Sequence, residues 1–144
     1  MLKDIDPLLV PELLHQLARM GHGDDLAVVD ANFPAESVAA AGAFGRVVQL
    51  TGVGVEEAVR AILTRFPLDD FVAHPVMRME VVDAPDEIPP SQEAVIAMVG
   101  AARVGALERF AFYEAAKRAC AVVRVASEGR PYACFLLKKG VVFF

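Results

Sequence analysis

The sequence predicts an α/β protein in which helices cover a largely parallel or mixed sheet. Two observations carry this. Segments with apolar residues at helical spacing alternate with short strand-like runs along the chain. The run Leu26–Val29 is apolar at every position, as a strand buried on both faces should be. A length of 144 residues suits one domain, spanning 1–144, around one core. No internal repeat or Ser/Gly linker interrupts it.

The first helix opens near Pro11, because proline fits a first helical turn. Leu13, Leu14 and Leu17 share a face, and Gly21 is a natural stop. "DLAVVDA" follows as a buried strand, and "GRVVQL", Gly45 to Leu50, as a second. In "GVEEAVRAILTRF" a helix puts Val55, Val59, Ile62 and Leu63 on one face, with Glu56 and Glu57 in its positive first turn. "PVMRMEVV", Pro75 to Val82, reads as a strand. Its Val76, Arg78, Glu80 and Val82 alternate with Met77, Met79 and Val81, so one face is mostly polar. "DAPDEIPP" is a turn-rich loop. Ser91 is expected to cap a helix reaching about Ala101, with Glu93 in its first turn. "ERFAFYEAAKRAC" is a further helix. "AVVRVAS" and "FLLKKGVVFF" close the chain as strands around the turn "EGRP".

Composition narrows the function classes. The chain is 56% hydrophobic with a mean hydropathy of +0.44, yet no apolar run reaches the roughly 18–20 residues of a spanning helix. The surplus apolar surface therefore predicts subunit interfaces and not a membrane. A net charge of −5 without a basic block removes the electrostatic basis for binding nucleic acid. The N-terminal "MLKDIDPLL" places acids and a proline where a signal peptide needs an apolar core, which predicts a cytoplasmic chain. Cys120 and Cys134 form no CxxC pair and read as reduced core residues, not a disulfide frame. His15, His22 and His74 lack zinc-site spacing. There is no P-loop, GxGxxG, GxSxG or HExxH; "TGVGVEE" has two glycines before a helix, a weak signal alone.

Three places can carry chemistry, each with a plain structural alternative. His22, flanked by glycines in "GHGDD", is either a cation at a helix C-terminus or a proton donor near neutral pH. Asp30 ends an apolar strand. It is either an Asx-turn acid or a carboxylate receiving ligand hydroxyls, and ligands of open α/β sheets bind beyond strand carboxyl ends. Arg109 either pairs with a nearby acid or points its fork of donors at a polyhydroxyl ligand. Tyr132 reads as a core aromatic with a satisfied hydroxyl. Lys138 and Lys139 read as a solvated strand end.

"GHGDD", "DANFPA", "ERFAFYE" and "LLKKGV" occur in the order found in the L-fucose mutarotase / D-ribose pyranase family, often called RbsD/FucU. The resemblance runs nearly end to end, from "PLLVPELLHQLARMGHGD" to "LLKKGV". It is closer to the fucose mutarotase branch, which "RFAFYE" marks. It implies a single-domain three-layer α/β/α sandwich and a sugar-ring isomerase with no metal and no organic cofactor. It further implies a monosaccharide substrate and a homo-oligomeric ring, commonly a decamer, with sites near subunit interfaces. The family's proton donor falls on His22. Its substrate-binding residues fall on Asp30, Arg109, Tyr132, Ala133 and Cys134. The last three stand on a Tyr-Gly-Asn or Tyr-Ala-Asn stretch, so Cys134 replaces a carboxamide with a weak donor and weak acceptor.

The implied reaction interconverts α and β anomers. The ring oxygen gains a proton, the anomeric hydroxyl loses one, the ring opens to the aldehyde, C1–C2 turns, and the ring recloses. This needs an acid and a proton acceptor but no nucleophile. His22 would be the acid, Asp30 would orient it or bind a hydroxyl, Arg109 would hold sugar oxygens or stabilise the negative charge developing on them, and Tyr132 would supply a wall or a hydroxyl. The alternatives are a non-catalytic monosaccharide-binding or regulatory protein of the same fold, and a purely structural ring subunit.

Overall fold

The computed structural model describes Met1–Phe144. Six strands form one sheet in the order β2-β5-β1-β6-β3-β4. They are β1 (Asp25–Val29), β2 (Val47–Leu50), β3 (Val76–Met79), β4 (Val104–Leu107), β5 (Ala121–Val125) and β6 (Phe135–Lys138). β1 pairs parallel with β5, β5 with β2, and β3 with β4, whereas β6 runs antiparallel to both β1 and β3. The sheet is therefore mixed. The helices are α1 (Pro11–Arg19), α2 (Ala35–Ala41), α3 (Val55–Leu63), α4 (Pro90–Val99) and α5 (Arg109–Lys117).

The three layers follow from the period-2 alternation of strand side chains. Leu26 and Val28 of β1 join one core with Leu13 and Leu17 of α1, Val55, Val59 and Ile62 of α3, and Val95 of α4. Ala27 and Val29 join the other with Val38 of α2 and Phe112 of α5. β1 is covered on both faces, which is why its sequence is apolar without alternation.

Several expectations need correction. The third strand stops at Met79, and Arg78 is buried instead of lining a polar face. Its guanidinium donates to the Pro85 carbonyl at 2.7 Å and faces Gln92 Oε1 at 3.4 Å, which satisfies a charge that would otherwise be costly inside. Ser91 is not the cap of α4. The helix begins at Pro90 and ends at Val99, and Ser91 Oγ instead donates to the Pro131 carbonyl at 2.7 Å. The last strand ends at Lys138, and Val141–Phe144 lie exposed beyond it. Gly140 marks the break: a Cβ there would stand 2.5 Å from the Leu68 carbonyl oxygen. Two elements were not anticipated, α2 and the edge strand β4.

Candidate functional site

Strand direction sorts the candidate residues into two groups. His22 precedes β1 and Asp30 follows it, so they stand at opposite edges of the sheet. Five residues at about 3.3 Å each put on the order of 13 Å between the strand's ends alone. The β1–β6 register repeats the separation, with Lys138 beside Asp25 and Phe135 beside Val28.

At the His22 edge, Gly23 N–H donates to the Lys139 carbonyl and holds the Gly-rich turn against the end of β6. Gly23 adopts φ +85°, a left-handed conformation suited to glycine. His22 Nε2 lies 3.2 Å from Asp69 Oδ1. The side chain of His22 is 47% exposed and that of Asp69 only 3%. The partner of the histidine is thus Asp69, which the sequence reading passed over, and not Asp30. A backbone hydrogen bond from Phe71 N–H, at 3.0 Å to the same Oδ1, and then the His22 contact hold the Asp69 carboxyl below its ordinary range. An ionised carboxylate only accepts, so Nε2 donates and Nδ1 is left for chemistry. The Phe71 ring meets the imidazole edge-on, with centroids 5.4 Å apart.

At the opposite edge, the ends of β1, β3, β4 and β5 and the start of β6 converge, bringing Asp30, Arg109, Tyr132, Ala133 and Cys134 to one side. Arg109 is the first residue of α5, whose N-cap is Glu108; that carboxylate accepts from Phe110 N–H and Ala111 N–H. The Arg109 guanidinium sits 4.6 Å from the centre of the Phe110 ring. Its Nε is buried without a hydrogen-bond partner, although acids stand close by. It borders a cavity of about 260 Å³ lined also by Glu80, Val81, Val82, Asp83, Pro85 and Glu108. Tyr132 reaches one of these lining residues: its hydroxyl accepts from Val82 N–H at 3.4 Å, which leaves its own proton free.

Tyr132 carries φ +63°, a strained conformation for a bulky residue. Gln92 holds it there. The buried amide donates to the Tyr132 carbonyl at 2.8 Å and the Met79 carbonyl at 2.7 Å, while Arg78 faces its oxygen. Arg78, Glu80 and Gln92 were not singled out by sequence reasoning. The polar alternation in "VMRME" was the available signal for the first two, whereas a lone glutamine gives none.

Asp30, Ala133 and Cys134 are 5%, 0% and 1% exposed. All three are buried in the chain, so little of their surface reaches solvent at this edge. Asp30 Oδ1 accepts from Asn32 N–H and Phe33 N–H, both at 3.0 Å, forming the Asx turn considered above. Cys134 Sγ donates to Asp30 Oδ2 at 3.4 Å. Burial, then the Asp30 charge, pushes the Cys134 thiol well above its ordinary range.

A wider open hollow of about 640 Å³ lies on the same edge, between Gly52–Gly54 and Ser127–Arg130. Its polar groups are already engaged. Glu128 accepts from Val55 N–H at 3.0 Å and from Arg130, which also binds Glu56. No three His, Cys, Asp or Glu side chains converge anywhere as a metal site would require. No helix is long and apolar enough to cross a membrane.

Residues 3–142 match the profile of the RbsD / FucU transport protein family. The chain is 39% identical to the fucose mutarotase of Homo sapiens, over 98% of this chain and 94% of that protein. It is 41% identical to the L-fucose mutarotase of Actinobacillus pleuropneumoniae, over 98% and 97% of the two chains. The crystal structure of the fucose mutarotase of Streptococcus pneumoniae in complex with L-fucose superimposes with a TM-score of 0.87 at 35% identity, covering 99% of this chain and all of that one.

Proposed function

This chain belongs to the RbsD / FucU family, and from that premise we propose that it is a mutarotase interconverting the α and β anomers of L-fucose or a related monosaccharide. The observation that carries the reading is the His22–Asp69 pair, an accessible imidazole braced by a buried, ionised carboxylate. His22 delivers a proton from Nδ1 to the sugar ring oxygen while Asp69 stabilises the imidazolium and fixes its tautomer. Arg109 and Tyr132 hold the sugar in the cavity at the opposite edge. There an unpaired guanidinium Nε–H awaits an acceptor, and Glu80 and Asp83 offer acceptors to sugar hydroxyls. Asp30, buried with Ala133 and Cys134, holds the Asn32–Phe33 turn at that edge.

The separation of these two edges supports an assembly in which neighbouring copies share each site. One chain cannot bring His22 to a sugar held by Arg109 and Tyr132. Each working site therefore takes its histidine and Asp69 from one copy and its sugar cavity from the next. Such a head-to-tail contact uses two different surfaces, and a head-to-tail interface that closes makes a ring. We take that ring to be a decamer, as the family resemblance implies. Exposed Val72, Phe110, Phe143 and Phe144 supply apolar surface for contacts between copies. The two free cysteines suit the reducing cytoplasm.

The test is anomer exchange by saturation-transfer NMR on L-fucose. Exchange above the buffer rate, lost in His22→Ala, supports the enzyme. Sugar binding without exchange would leave a binding protein of the same fold.

A further inference from the structure

Asp69 Oδ1 accepts from two groups at once, His22 Nε2 at 3.2 Å and Phe71 N–H at 3.0 Å. One oxygen therefore fixes the imidazole and the loop that follows it. Phe71 packs edge-on against the imidazole at 5.4 Å and an interplanar angle of 68°, yet the residue remains 72% exposed. Its ring is spent on no core. Wherever His22 meets a sugar, Phe71 arrives with it.

We propose that Phe71 is a specificity-determining residue of the mutarotase site, its ring forming an apolar wall against the carbon substituent beside the sugar's ring oxygen. The inference rests on the mutarotase reading above. His22 must reach the ring oxygen, and a side chain touching the imidazole meets one of that oxygen's two carbon neighbours. One neighbour is the anomeric carbon, whose hydroxyl must pass its proton to an acceptor; an apolar ring there would strand a polar group. The other carries C6 in a hexopyranose. At that position an aromatic ring favours a methyl group over a hydroxymethyl group, which it would partly desolvate, and over a hydrogen, which leaves the contact empty. Phe71 thus selects 6-deoxy sugars through the group nearest the proton transfer.

Three sugars separate these cases: L-fucose, L-galactose, which adds a hydroxyl at C6, and D-arabinose, which keeps the ring configuration but lacks C6. The wild-type protein should exchange L-fucose with kcat/KM about tenfold above either of the others. Phe71→Ala should lower L-fucose about tenfold while D-arabinose changes less than about twofold. Phe71→Leu should keep the ranking. The ratio between sugars belongs to each intact site, so it is readable even if the alanine variant assembles less completely. Phe71→Val gives the same reading if the alanine variant is inactive. An equal loss for all three sugars would show that Phe71 acts only through His22, and unchanged ratios would remove it from the site; either overturns the proposal while leaving the mutarotase reading in place. A wild-type protein that exchanges none of the three sugars overturns both.

Discussion

His22 Nε2 and Asp69 Oδ1 lie 3.2 Å apart although 47 residues separate them in sequence. The contact converts a solvent-facing histidine into a directed one, because a buried acceptor determines which ring nitrogen keeps its proton. His22→Ala should abolish anomer exchange with little change in thermal stability. Asp69→Asn should lower kcat about 10- to 100-fold, since an amide neither stabilises the imidazolium nor enforces the tautomer. The double variant should be no worse than His22→Ala, because the carboxylate acts only through the ring. Exchange NMR on the three variants, with melting curves beside it, decides this. A fully active Asp69→Asn protein would remove the carboxylate from the mechanism.

The proposed division of the site between two copies predicts complementation. His22→Ala and Arg109→Ala should each be inactive alone. Dissociated and reassembled together in equal amounts, they should recover about one quarter of wild-type activity, the share of interfaces that pair an intact His22 with an intact Arg109. Light scattering on the wild type should give a mass well above twice 15.5 kDa. A monodisperse 15.5 kDa species that exchanges sugar would contradict both expectations.

Local chemistry explains what was legible in the sequence. Pro11 starts α1, and the Val55, Val59 and Ile62 spacing placed α3 because apolar periodicity matched the buried face. α2 was missed because "AESVAAA" is short and offers one bulky apolar residue, so its periodicity is weak. β4 was missed because "VGAL" is a four-residue edge strand. His22 and Arg109 were visible through their immediate neighbours. Asp69 and Gln92 were not, since each acquires its role from a residue 40 or more positions away. Asp30 was found for its position at the end of β1, where one of its oxygens forms the Asx turn with Asn32 and Phe33.

Gln92 tests how far that hidden framework matters. Its amide links Arg78, Met79 and Tyr132 with no exposure to solvent. Gln92→Leu should cost about 1–3 kcal/mol in urea unfolding, because it strands two carbonyls and one arginine contact. It should also raise KM more than it lowers kcat, since Tyr132 loses the bond that holds its left-handed backbone. Unchanged KM in a destabilised protein would show that Tyr132 keeps its place without the amide.

Glu128 gives a pH signature. The Arg130 hydrogen bond, opposed by burial and aided by Val55 N–H, lowers its pKa from 4.5 to about 2. A depressed carboxyl pKa contributes stability above the unfolded value, and this contribution is lost as pH falls through the folded value. Glu128→Gln should therefore cost about 1–3 kcal/mol at pH 7. The gap between variant and wild type should narrow between pH 4.5 and about 2. Urea melts at several pH values measure it. A gap independent of pH would mean that packing, and not charge, explains the loss.

The last expectation concerns Cys134, which the family resemblance sets against an asparagine. Its thiol is 1% exposed and donates to Asp30 Oδ2. Burial first, and then Asp30, raises its pKa, so it should resist iodoacetamide at neutral pH until the protein unfolds. Cys120 should also react slowly, because burial and then Asp24 push its pKa up to about 11. Cys134 contacts Asp30, whose other oxygen holds the Asn32–Phe33 turn, so the expected effect of position 134 is on that turn and not on the sugar. In Cys134→Asn an amide N–H would replace the thiol as donor to the carboxylate, a stronger bond. Its carbonyl oxygen would need a partner in a buried place, and a stranded one costs about 1–3 kcal/mol. The variant should therefore change the melting temperature while KM for L-fucose, L-galactose and D-arabinose stays within about twofold of wild type. A contact with the sugar would behave differently: one regained hydrogen bond of about 0.5–1.5 kcal/mol would lower KM roughly 2- to 12-fold for the sugar whose hydroxyl it meets. Measuring KM for that panel on both proteins separates a residue that supports the turn from one that reaches the ligand.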